Sequence, residues 1–297
     1  MQPFKKPVTE IIPWRYSCRE YQKKAIFIDH LEDLTAFLRT IQTGPQGASL
    51  RFELVAATEQ DRSQLKGLGT YGLIRNTPGF MIGAVGPGVK NMEDFGYGME
   101  IAILYAAELG LGTCWLGGNF TRSTFTRKIQ AAEEEIVPCV TAVGYPGADS
   151  LVRNQQRKQK KSHNRLPWEK LFFHETFEKP LSREEAGDFA LPLEMVRLAP
   201  SSRNTQPWRV VREDDSYHFY LARSGGYGPG SIPALLLGLS DLQRVDVGIA
   251  MCHFELAAQE QGVVGEWVVE DPGLVLPEGR VEYVASWGEK HAIFVTG

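Results

Sequence analysis

The feature that most constrains this chain is a self-similarity at a shift of 152 residues. Displaced by that amount, Asp94 falls on Asp246, Gly96 on Gly248, Ala106 on Ala258, Gly110 on Gly262 and Trp115 on Trp267. All five lie on an apolar, Ala-rich helical pattern and its exit. A second match, at a shift near 155, sets Pro45 and Phe52-Glu53-Leu54-Val55 against Pro200 and Trp208-Arg209-Val210-Val211. A repeat of about half the chain predicts a pseudo-dimer folded from one polypeptide. Two similar halves pack about a local two-fold, and a site at their junction draws one residue set from each.

The periodicities fill in the halves. Helical spacing covers His30–Ile41, Tyr97–Leu109 with Gly110 as its stop, Leu191–Leu198 before Pro200, and Val245–Glu260. Strand patterns cover Phe52–Ala57, Phe80–Val85, Cys139–Val143, Trp208–Arg212, His218–Ala222, Gly265–Val269 and Val281–Ser286. The elements do not alternate regularly, which favours α+β over a doubly wound sheet. The polar, basic stretch from Asp149 to Arg165 has no apolar periodicity and reads as the linker. The expected division is therefore 1–165 for the first repeat with linker and 166–297 for the second.

Composition removes several classes. Lys plus Arg is 32 against 36 Asp plus Glu, a net charge of -4, which does not suggest a nucleic-acid binder. No apolar run approaches the ~20 residues of a membrane span, and no signal peptide is expected at the start. Cys18, Cys114, Cys139 and Cys252 are far apart and read as reduced, buried thiols of a cytoplasmic protein. No His, Cys and carboxylate cluster has metal spacing, so no catalytic metal is expected, and His253, inside an apolar helix, reads as a core histidine.

Some motifs carry chemistry. Gly67-Leu68-Gly69-Thr70-Tyr71-Gly72 matches GxGxxG in letters, but the flanking polar segment and Pro78 do not supply the strand and helix of a dinucleotide fold. Arg15-Tyr16-Ser17-Cys18-Arg19 offers two guanidiniums and a hydroxyl suited to a phosphate, on one face if the segment is helical; it also fits a solvated helix start. Ala199-Pro200-Ser201-Ser202-Arg203-Asn204-Thr205-Gln206-Pro207-Trp208 is denser in orienting donors and acceptors than a turn requires. Gly110-Leu111-Gly112-Thr113-Cys114-Trp115-Leu116-Gly117-Gly118 has glycines that let another group approach backbone N–H donors; Gly110 alone would serve as a helix cap. The run of Arg153, Arg157, Lys158, Lys160, Lys161 and Arg165 reads as solvated linker, with room for one or two residues to turn onto a phosphate.

Together, Arg15-x-Ser17-x-Arg19, the Pro200-Ser201-Ser202-x-Asn204-x-Gln206-Pro207-Trp208 loop and the glycine stretch into Gly117-Gly118 resemble the FMN-dependent nitroreductase family. The family usually has shorter chains, and two identical subunits share two FMN molecules. Here the early loop, Gly44-Pro45-Gln46-Gly47-Ala48-Ser49, lacks the Asn and the Gln-Pro-Trp. The second half lacks the Arg-x-Ser-x-Arg pattern at Leu181-Ser182-Arg183-Glu184-Glu185. Each half keeps what the other has lost, as in the single-chain, internally duplicated branch of the family.

The resemblance implies an α+β nitroreductase-like fold with one FMN between the halves. Arg15, Ser17, Arg19 and Arg165 are the expected phosphate ligands. Leu116, Gly117 and Gly118 are expected at the flavin N5 edge, and Pro200, Ser201, Ser202, Asn204 and Gln206 arrive from the other half. It implies an NADH- or NADPH-dependent oxidoreductase acting on an electron-poor small molecule such as a nitroaromatic or quinone, with no catalytic side chain, because the flavin carries the chemistry. A monomer suffices, the partner half being covalently supplied. The alternatives are a non-enzymatic flavin-binding protein, a flavin-fold dehalogenase or flavin-degrading enzyme, and an anion-binding interaction protein using the basic run.

Overall fold

The structure is a computed structural model that describes residues 4–159, 165–224 and 240–289. In the first half, α1 is Val8–Trp14, α2 Ile28–Leu38, β1 Leu50–Ala56, β2 Gly79–Val85, α3 Asn91–Glu108, β3 Gly112–Leu116, α4 Arg122–Lys128 and β4 Val140–Gly144. Helix α5, Ala148–Gln159, leads out of it. The second half contains β5 Phe172–His174, β6 Thr176–Pro180, α6 Arg183–Ala186, α7 Ala190–Leu198, β7 Trp208–Glu213, β8 Ser216–Ala222, α8 Leu242–Glu260, β9 Gly265–Val268 and β10 Val281–Glu289.

The two sheets repeat one topology. The first runs β1-β2-β4-β3, and the second contains β7-β8-β10-β9 in the same order, with β5 and β6 added at the β7 edge. The pairings are antiparallel except β5 with β7. This is the α+β pseudo-dimer that the repeat predicts.

The halves meet through α3 and α8, the two Ala-rich helices, which are buried along most of their length. A β-carbon at Gly96 would collide with the Val245 carbonyl, and one at Gly248 would collide with the Glu93 carbonyl. Glu93 and Val245 are themselves 152 apart, so the contact is reciprocal, as an isologous interface requires. Both helices end alike. Gly110 (φ +76°) and Gly262 (φ +81°) take the left-handed conformation. The following N–H groups, of Leu111 and Val263, return to Ala106 and Ala258 carbonyls at 2.9 and 3.0 Å.

Helix α1 has a different relation to the repeat. Its Ile11 and Ile12 share one buried cluster with Leu104 of α3 and Leu256 of α8, again 152 apart. The Glu108 carboxylate accepts the Lys5 and Lys6 N–H groups at 2.8 and 2.6 Å, while its counterpart Glu260 accepts the Thr9 N–H and hydroxyl at 3.0 and 2.6 Å. One helix thus docks on matching residues of both halves.

Three expectations are corrected. Gly112 to Leu116 is strand β3 rather than loop, because β4 pairs along its whole length and Ser17 bridges Thr113. Tyr97–Leu109 is extended back to Asn91; the polar Glu93 and Asp94 that conceal its start are buried. The linker begins as α5 rather than as coil; Lys160 and Lys161 lie outside the described residues, and only the backbone is described at Arg153, Arg157 and Lys158. The GxGxxG stretch is irregular, with Gly67 and Gly72 at φ +82° and +75° and no dinucleotide-binding strand and helix around it.

Candidate functional site

The two loops that distinguish the halves hang from equivalent aspartates. Asp94 accepts the N–H groups of Gln46 and Ala48, both at 2.8 Å, and fixes the early loop. Asp246 accepts the Ser202 N–H with its two oxygens at 2.9 and 3.0 Å and fixes the polar loop. Burial pushes both carboxyls up; at Asp94 the two N–H donors oppose it, and at Asp246 the rise is large. Within the polar loop Ser201 Oγ accepts the Gln206 N–H at 2.9 Å. Gln206 is buried; its Nε2 donates to the Asn204 carbonyl at 3.0 Å and its Oε1 accepts the Leu166 N–H at 2.8 Å. Arg203, Asn204 and Gln206 hold left-handed backbone (φ +50°, +59°, +49°), a strain kept by these bonds. Pro200 precedes this network, directly after the α7 cap.

Arg165 ties this loop to the end of α7. Its Nη1 donates to Asn204 Oδ1 at 2.8 Å and its Nη2 to the Leu198 carbonyl at 2.7 Å. Both partners are neutral. Its Nε is buried with no hydrogen-bond partner. Burial lowers the guanidinium to about 10, and the positive fields of Arg15 and Arg197 add to the effect. Arg197 is neutralised by Glu194, at 2.5 Å from Nη2. Arg15 has a longer pair, Nε to Glu100 Oε1 at 3.9 Å. Among the described residues, then, Arg165 is a largely buried cation with no acidic partner, set beside a second weakly paired guanidinium.

The remaining expected residues are placed as follows. The backbone at Arg15 is extended, not helical, and Ser17 forms a parallel bridge with Thr113. Arg19 is exposed and lies against the Cys114 thiol, which burial raises and Arg19 lowers. Strand β3 carries the chain about 13 Å from Thr113 to Gly117. Leu116 is buried, Gly118 is exposed, and Gly117 backs onto the Leu242 side chain at the start of α8. The structure therefore gathers Arg15, Arg165, Asn204 and Gln206, and sets Gly117 against the other half at the far end of β3. A cavity of about 130 Å³ adjoins Arg15, lined also by Trp14, Tyr16 and Gly110 to Thr113. Ligand pockets are usually about 300–1,000 Å³, so this cavity accounts for only part of a ligand site.

All four cysteines are free and buried, and the described residues contain no metal-like cluster. No described helix is long and apolar enough to cross a membrane. His253 is fully buried between Met195 and Glu100, as a core histidine. Sequence reasoning missed Glu100 and Arg197; the repeat register was the available signal for the first, since it places His253 one residue past the counterpart of Glu100.

Two halves with matched sheets and a reciprocal helix contact define a single-chain pseudo-dimer. The family model described as "Putative TM nitroreductase" matches residues 7–258, and the chain belongs to this nitroreductase family. A solved "putative nitroreductase" from Thermotoga maritima aligns over 97% of this chain and 95% of its own, at 16% identity and a TM-score of 0.57, and shares its fold. A nitroreductase family protein from Clostridium difficile 630 aligns over 54% of this chain and 92% of its own, with 18% identity and a TM-score of 0.40. An FMN-dependent nitroreductase from Clostridium difficile R20291 aligns over 46% of this chain and 86% of its own, with 19% identity and a TM-score of 0.37. No curated protein matches the chain.

Proposed function

We propose that this chain is an FMN-dependent oxidoreductase that takes reducing equivalents from NADH or NADPH and passes them to an electron-poor small molecule, a nitroaromatic or a quinone. The observation that carries the reading is Arg165: a half-buried guanidinium with a buried, unpartnered Nε and no acidic partner among the described residues, close to Arg15 and bonded to Asn204 of the polar loop. A cation of this kind calls for an anion, and a phosphate meets a guanidinium with bidentate geometry. The donor set therefore fits the phosphate of FMN. Membership of the nitroreductase family supports the same choice.

FMN bound here would accept hydride at N5 from the nicotinamide and return it to the acceptor. The chain's own part is binding and orientation. Arg15 and Arg165 hold the phosphate, with Ser17 and Arg19 beside them on the same motif. Asn204, Ser201, Ser202 and Gln206 present the polar loop from the second half. Leu116, Gly117 and Gly118 bring backbone N–H groups to the ring edge, where they favour negative charge. The repeats divide at 165/166, so each supplies one part of a single site. The protein acts as a cytoplasmic monomer and needs no metal.

The test is direct. Incubate the protein with FMN, remove the excess, and record the visible spectrum and the FMN released on denaturation. The expected ratio is one FMN per chain; a ratio near two removes the composite-site argument, and no retained flavin removes the flavin reading. Bleaching of the bound flavin by NADH or NADPH under anaerobic conditions is expected. Persistent colour would instead identify a flavin-binding protein without reductase activity.

A further inference from the structure

Behind Arg15 lies a buried group that the proposed reaction does not use. Glu100 of α3 and His253 of α8 are both fully buried, and His253 Nε2 stands 3.1 Å from Glu100 Oε1. The other imidazole nitrogen, Nδ1, stands 2.9 Å from the Met195 carbonyl. A carbonyl oxygen only accepts, so Nδ1 carries hydrogen. The second Glu100 oxygen, Oε2, accepts the Trp115 indole N–H at 2.8 Å, and Arg15 Nε lies 3.9 Å from Oε1. The Trp115 indole N–H is directed at this carboxyl group and the Arg15 guanidinium stands near it, and both favour an ionised carboxylate. An ionised Oε1 facing a bare Nε2 lone pair at that distance would be repulsive. The contact becomes favourable with a proton on Nε2 as well.

We infer that His253 is an imidazolium paired with Glu100 across the repeat boundary, and that it is a positioning residue for the anion site. By occupying Glu100 at the shorter distance, His253 leaves the Arg15 charge available for an anion. The neighbouring carboxylate of α8 shows the contrast. Glu255 receives three neutral donors, the Tyr97 hydroxyl at 2.8 Å, the Trp267 indole at 2.6 Å and the Gln259 amide at 3.1 Å, and has no such imidazole pairing among the described residues. The extra positive charge is found only beside the Arg15 motif. The binding consequence rests on the flavin reading above, while the charge state of His253 does not.

Two measurements test it. In the flavin-free wild-type protein, nitrogen NMR at neutral pH is expected to show both His253 ring nitrogens protonated; a neutral ring overturns the inference whether or not flavin binds. In FMN titrations, His253→Gln returns Glu100 wholly to Arg15 and is expected to weaken FMN about tenfold, one decade of affinity. Riboflavin affinity should hold, because riboflavin has no phosphate. The double variant Glu100→Gln/His253→Gln removes the released carboxylate and should restore FMN affinity to near wild type. Unchanged FMN affinity in His253→Gln, equal losses for FMN and riboflavin, or no restoration in the double variant would each show a merely structural histidine. If the wild-type protein binds no flavin, the proposed function fails, and the NMR result alone decides the charge state.

Discussion

The two halves agree where they touch and disagree in the loops that hang from Asp94 and Asp246. At the α3–α8 contact, Gly96 and Gly248 make the same close approach, and the sheets beside them repeat one strand order. At the loops held by Asp94 and Asp246, one half presents Gln46 to Ser49 and the other Ser201 to Gln206. The difference teaches that packing constrains both copies equally, whereas the proposed single composite site would leave the early loop free to diverge. A close-packed interface is sensitive to one methylene on either side, but an unused loop can change at little cost to stability.

Four paired experiments break or sharpen this comparison. The largest effect belongs to the contact itself. Gly96→Ala and Gly248→Ala each drive a β-carbon into a backbone carbonyl, and the cost is expected at about 3 kcal/mol or more, beyond the ~1 kcal/mol gained from helix propensity. Urea unfolding should return similar losses for both. A loss at one glycine alone would end the claim of a symmetric interface.

Arg15→Ala is next. Removing a charge-assisted bond to phosphate, on the order of 1.5–3 kcal/mol, should weaken FMN roughly 10- to 100-fold while riboflavin changes little. If both ligands weaken alike in equilibrium titrations, Arg15 serves the fold. The aspartates come third. Asp94 satisfies two N–H groups and Asp246 only one. Asp94→Asn turns an amide N–H₂ toward one of them and should lose about 1–3 kcal/mol. Asp246→Asn keeps an acceptor for Ser202 and removes the cost of a buried charge. The raised Asp246 carboxyl binds its proton more tightly when folded. Its stabilising contribution is therefore complete below the unfolded pKa and lost as pH rises toward the folded value. Replacing it should flatten that loss in a pH series of thermal unfolding, and a steeper loss would show that Asp246 is not the group responsible.

The smallest effect separates the loops. Asn204→Ala removes a neutral acceptor from Arg165, about 0.5–1.5 kcal/mol, and should weaken FMN by up to roughly tenfold with a shifted flavin band. Ser49→Ala, in the early loop, should leave affinity and spectrum unchanged. The reverse pattern would move the working site to the other pair of half-sites.

Much of the fold was legible because the evidence was local. The 3.6-residue period and the stop glycines gave α3 and α8, and two-residue alternation gave β7 and β8. Strand β3 was hidden because glycines crowd both of its ends and its partners, Ser17 and β4, come from other parts of the chain. Helix α5 was hidden because it has no apolar stripe to declare it. At the candidate site, Arg15, Arg165 and Asn204 were named in advance and stand together. The acidic side of the site was not foreseen: nothing local joins Glu100 to Arg15, although the i,i+3 spacing of Glu194 and Arg197 on α7 was there to be read. Carboxylates in amphipathic segments usually read as solvated, and only tertiary packing brings them inside.

Helix α1 leaves a further mark on the molecule. Leu104 and Leu256, and likewise Glu108 and Glu260, form a receptor with two equivalent sides, yet it accepts one helix. A two-fold receptor with a single tenant must choose an orientation. Once α1 binds, it delivers Arg15 to one flank. The symmetry is thus broken by α1. Fusion turns a pair of half-occupied choices into one fixed handedness, with occupancy set by the covalent order of the chain rather than by encounter between subunits.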